Sequence, residues 1–77
     1  MTEFEIKRNL NKKVRFSNAR LYVENAEYIL TGAIIRRGDK GFYYQAELQD
    51  IHNENSTLIC KLDEIEEEQN NEQMQTP

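Results

Sequence analysis

The chain has 77 residues, a net charge of −4 and a 38% apolar share. That is enough for one small domain and too little for a large buried cleft. The charge is uneven: residues 1–61 carry ten basic and eight acidic side chains, whereas residues 62–77 carry six acids and no base. A weakly basic body therefore precedes an acidic end, which suits a solubility device, an interaction segment or a mimic of nucleic-acid charge.

In chain order, Thr2-Glu3-Phe4-Glu5 forms a capping-box pattern, and Ile6 and Leu10 lie one helical turn apart. The segment reads as a short N-terminal helix or extension. No basic start and apolar run mark a signal peptide, and no stretch approaches the roughly 18 apolar residues of a membrane span. Val14 and Phe16 alternate with charged residues as in a strand, and Arg20–Val23 reads as a second short strand with a bend at Glu24-Asn25.

The strongest signal is a hairpin. Tyr28–Ile35 is rich in strand formers, Phe42–Leu48 alternates cleanly, and Gly38-Asp39-Lys40-Gly41 lies between them. A three-residue loop, Asp39-Lys40-Gly41 with Gly41 left-handed, sets Arg36 opposite Tyr44, Ile34 opposite Ala46 and Leu30 opposite Asp50. After a polar turn at residues 51–56, Thr57–Leu62 reads as another strand, and Leu62 and Ile65 close a final helical turn.

The domain expected is all-β over residues 1–68. It is a small antiparallel meander curled on itself to cover its core, with residues 69–77 a disordered polar tail. Val14, Phe16, Leu30, Ile34, Phe42, Tyr44, Leu48, Leu58 and Leu62 are its expected core. The order of strands carried by Val14 and Phe16, Tyr28–Arg37, Phe42–Asp50 and Leu58–Ile65 resembles an SH3-like barrel. The resemblance is architectural and assigns no binding residue.

The same pairing leaves an apolar set on the outer hairpin face: Ile29, Ala33, Ile35, Tyr43 and Ile51. Three explanations compete. Phe4, Ile6 and Leu10 cover it; a bulge at Gly32 makes the strand bury opposite faces along its length; or it binds another protein or a second copy. In the third case Ile29, Ile35, Tyr43 and Ile51 are the candidate contact residues.

Chemistry-bearing motifs are sparse. His52 is the single histidine and lies in a polar turn, while Cys60 sits in the inward Leu58-Cys60-Leu62 stripe. A Cys/His site needs a third group to orient or complete it. Asp63–Glu68 lacks the ligand spacing and central glycine of a calcium loop and reads as a solvated helical face. The glycines precede no Lys-Ser/Thr and build no phosphate loop. No enzyme activity, cofactor or metal is therefore expected.

Two basic clusters remain, represented by Lys12 and Lys13 near the start and Arg36 and Arg37 at the hairpin tip. With Tyr22 or Tyr43 beside them they suit single-stranded nucleic acid, although an acidic chain is not the usual footprint and the acidic end can fold back over the bases. The function expected is a small non-catalytic binding or regulatory module acting through protein–protein contact. The alternatives are a nucleic-acid accessory protein and an acidic, nucleic-acid-mimicking inhibitor. One cysteine and no membrane segment suit a cytoplasmic protein, and the Asn-, Ile-, Lys- and Glu-rich composition suits a bacterium or phage.

Overall fold

The computed structural model describes residues 1–68; the tail expected to be disordered, 69–77, lies outside them. Helix α1 (Glu3–Arg8) is followed by β1 (Lys13–Asn18), β2 (Val23–Gly38), β3 (Gly41–Asp50), β4 (Asn53–Lys61) and β5 (Ile65–Glu67). They make one antiparallel five-stranded sheet in the order β4-β3-β2-β1-β5. The sheet is strand-dominated as expected, but it does not close into a barrel.

The capping box starts α1. Thr2 Oγ1 accepts from the Glu5 backbone N–H at 3.1 Å, and Glu5 Oε1 accepts from the Thr2 N–H at 2.8 Å. The helix buries Ile6 in the main core, while Phe4 and Leu10 stay exposed. The helix therefore belongs to the core side of the sheet and does not cover its outer face. The core is Ile6, Val14, Phe16, Leu30, Ala46, Leu48, Cys60 and Ile65, each at most 5% exposed. Each large apolar side chain so buried stabilises the fold by ~1.5–3 kcal/mol before entropy is counted.

Four expectations are corrected. First, Arg20–Val23 is no second strand: Asn18 Oδ1 accepts from the Leu21 N–H at 3.1 Å and caps a 3₁₀ turn over Ala19–Leu21. Tyr22 then takes a left-handed φ of 57°, and Asn25 one of 53°.

Second, the hairpin register is displaced by one residue. Gly38 pairs with Gly41 across Asp39-Lys40, so Arg37 faces Phe42, Arg36 faces Tyr43, Ile35 faces Tyr44 and Ile34 faces Gln45. Gly41 has a φ of +120°, a conformation that favours glycine, as the turn reading required. Thr31 is an extra residue between the pairs Leu30–Leu48 and Gly32–Glu47. This bulge reverses which alternate residues of β2 face the core, because side chains alternate with period two. Thr31 Oγ1 donates to Glu47 Oε1 at 3.0 Å, and a Cβ on Gly32 would lie 3.0 Å from that same oxygen.

Third, Phe42 is 72% exposed, not core, and Ile34, Tyr44, Leu58 and Leu62 are half-buried. β1 reaches along β2 only as far as Ile29, and β4 along β3 only as far as Gln45. The end of the hairpin therefore has no neighbouring strand on either side among the described residues. Fourth, Asp63–Glu68 is no helical face. After a 3₁₀ turn at Leu62–Glu64, Ile65 enters the core and Ile65–Glu67 pairs with β1.

Candidate binding surface

The β2–β3 hairpin extends past the core as a two-stranded ribbon, and the described molecule measures 47 × 27 × 22 Å. Opposed residues share a face. The core-side face of the ribbon carries Ile35 with Tyr44 and Arg37 with Phe42, and the outer face carries Ile34 with Gln45 and Arg36 with Tyr43. Ile35 is 60% exposed and Tyr43 47%. The Arg37 guanidinium lies 5.9 Å from the Phe42 ring centre, within cation–π range, and Arg36 Nε donates to Gln45 Oε1. No carboxylate lies within ion-pairing distance of Arg36, Arg37 or Lys40 among the described residues.

The four residues expected to form one patch are dispersed. Ile35 is on the core-side face of the ribbon and Tyr43 on the opposite face. Ile29 is half-buried between Lys13 and Gln49, well back from the tip. Ile51 is half-buried in the β3–β4 turn, beside an open hollow lined by Arg15, Tyr28 and His52. The extra residue at Thr31 is what parts Ile35 from Tyr43, because it exchanges the two faces of β2 beyond it; Ile29 and Ile51 are separated from the tip by their distance along the strands.

The two basic clusters are also apart. Lys13 pairs with Ile29, and Arg36 is seven residues further along β2, ~23 Å away at about 3.3 Å per residue. Near the first cluster, the acidic end folds back over the body. Arg8 Nε donates to Glu67 Oε2 at 2.7 Å, and Asn9 Nδ2 donates to the same oxygen at 2.7 Å. Arg15 Nε lies 2.8 Å from Glu68 Oε1, and its Nη2 lies 3.2 Å from Glu27 Oε2. The hydrogen bond from Arg8 is the main cause, and that from Asn9 the second, of a Glu67 pKa drawn down to about 2.

The other chemistry-bearing residues do not converge. His52 is exposed, and its backbone N–H donates to Asp50 Oδ1 at 2.8 Å. Cys60 pairs with Ala46 inside the sheet. Burial, aided by Glu64 and Asp63, pushes its thiol up to about 12. Among the described residues no group of three or more His, Cys, Asp or Glu side chains is arranged to hold a metal, and no helix is long and apolar enough to cross a membrane.

Sequence reasoning placed Phe42 in the core and missed it as a surface residue. The structural reason is strand length: the sixteen-residue β2 and ten-residue β3 outrun the six-residue β1 and nine-residue β4 beside them. The exposed pair Leu21 and Tyr22, the latter 97% exposed, was hidden inside an expected strand. The chain is thus a small antiparallel sheet protein with a projecting ribbon. It matches no protein-family model, no curated protein and no solved structure.

Proposed function

We propose that the protein is a small non-catalytic binding module that contacts another protein through the tip of its β2–β3 ribbon. The observation that carries this reading is the exposure of Ile35, Phe42 and Tyr43 on an arm outside the core. A small domain gains little stability from apolar groups left in water, whereas aromatic and arginine side chains are the usual anchors of an interface. Arg36 and Arg37 flank these anchors and supply charge for orientation.

The fold itself we read as an opened relative of an SH3-like barrel. The long bulged β2, shared between β1 on one side and β3 on the other, supports that reading. The buried lone cysteine suits a reducing, cytoplasmic setting.

A second reading, nucleic-acid binding, draws on Arg36, Arg37 and Lys40 beside Phe42 and Tyr43, which together offer charge and stacking. It is weighed down by the net charge of −4 and by Lys12 and Lys13 lying far from the tip. The inhibitor reading draws on the acidic end, yet Glu67 and Glu68 already pair with Arg8 and Arg15.

A ribbon-shortened chain tests the proposal. Ile34 and Gln45 are cross-strand partners, so residues 35–44 can be replaced by Asn-Gly, which closes a tight hairpin in register. Full and shortened chains serve as baits in extract of the source cell. The shortened chain stays folded and recovers none of the proteins the full chain recovers. Unchanged recovery by a folded, shortened chain overturns the proposal, and recovery of nucleic acid instead favours the second reading.

A further inference from the structure

We infer that the outer edge of β2, from Gly32 to Gly38, takes an extended segment of a partner protein as an added strand. That segment carries two adjacent apolar residues next to two adjacent acidic ones. The inference rests on the ribbon being the contact surface and specifies the chemistry of what it contacts.

The edge is open by construction. β1 lies along it only to Ile29; then Leu30 N–H donates to the Lys12 carbonyl at 3.0 Å and its carbonyl accepts from the Asn11 N–H at 2.6 Å. Asn11 has a left-handed φ of 66°, within the link from α1 to β1. β2 nevertheless stays regular to Gly38, paired with β3 alone, so its other edge presents backbone donors and acceptors with no described strand against them. Such an edge is a template for a further strand.

Side chains select the occupant. On each face an isoleucine precedes an arginine: Ile34 then Arg36 outside, Ile35 then Arg37 on the core side. A strand laid beside them meets an apolar pair followed by a cationic pair. Opposite charges across strands are favourable and like charges opposed are not. A second copy paired antiparallel over Gly32–Gly38 sets Arg36 opposite Ile34 and Arg37 opposite Ala33. That leaves all four arginines without a carboxylate and the two Arg36 side chains as diagonal neighbours on one face, so a second copy is the poorer match. An acidic segment is favoured, and the same sheet already contains that combination: β5 lies against β1 with Glu68 paired to Arg15. The aliphatic Ile34 and Ile35 offer little to nucleic acid, which makes protein the better match.

The test uses the full chain and two synthetic peptides, Thr-Glu-Glu-Val-Ile-Thr and its counterpart with Gln for Glu. Antiparallel addition of the first sets its acids opposite Arg37 and Arg36 and its apolar pair opposite Ile35 and Ile34. Amide hydrogen exchange along residues 32–38 is followed by NMR. With the Glu peptide at about ten times its dissociation constant, edge amides exchange about tenfold more slowly, as mass action requires. The effect weakens with salt and is lost in R36E/R37E, whose spectrum otherwise stays that of the folded protein.

Other outcomes overturn the inference. Absence of any response does so, as does equal slowing by the Gln peptide. Shifts confined to side chains leave the ribbon reading standing but remove strand addition. A peptide-free protein that is dimeric with protected edge amides replaces the partner by a second copy. An oligothymidylate that protects the edge while the Glu peptide does not replaces it by nucleic acid. The ribbon-shortened bait fails independently of all of these, so failure of the ribbon reading is distinguishable.

Discussion

Replacing Ile65 by alanine is expected to be among the most damaging single changes available outside the ribbon. Ile65 is fully buried, contributes to the core with Val14 and Phe16, and is the apolar anchor of a three-residue strand. Its truncation removes buried methylenes and leaves a cavity, at a cost of ~3 kcal/mol within the usual 2–5 range. A domain of this size holds roughly 4–12 kcal/mol in total. The loss therefore lowers the melting temperature by ~12–24 °C at about 4–8 °C per kcal/mol. Thermal melts followed by circular dichroism, with Phe42→Ala as reference, measure it. Phe42 is exposed, so its truncation stays within ~0.5 kcal/mol of the parent. If Ile65→Ala costs less than ~1 kcal/mol, β5 is not a core strand and the packing argument fails.

Ile35→Asp leaves the domain folded, because Ile35 lies on the exposed ribbon; a melting temperature lowered as far as by Ile65→Ala contradicts that. Cys60 resists iodoacetamide at pH 8 in the folded protein and is labelled once urea unfolds it, since burial and nearby acids keep the thiol protonated; rapid native labelling refutes this. Glu67 has a depressed folded pKa, so its contribution to stability is full above the ordinary value of 4.5 and is lost as pH falls toward about 2. Arg8→Met removes the main cause and moves the Glu67 carboxyl titration upward by NMR; an unmoved titration contradicts the contact.

Much of the fold was legible because short-range signals agreed. Thr2 and Glu5 gave the helix start, Val14 and Phe16 the first strand, and the Leu58-Cys60 stripe the fourth. What escaped was long-range. The bulge beside Gly32 was legible only as one of three alternatives: the extra residue at Thr31 exchanges the faces of β2 beyond it and sets Ile35 and Tyr43 on opposite sides, which local alternation could not decide. The acidic run at residues 63–68 looked solvated because its partners, Arg8 and Arg15, are more than fifty residues away in sequence. Phe42 looked buried because apolar alternation does not reveal where the neighbouring strands stop.

The most direct test of the ribbon as contact surface compares two exposed aromatic positions. A photo-crosslinking residue replaces Phe42 at the ribbon tip or Tyr22 beside the 3₁₀ turn, the latter even more exposed at 97%. Irradiation in source-cell extract should give protein adducts from position 42 that disappear with R36E/R37E, and none from position 22. Adducts from position 22 with none from position 42 would contradict the account.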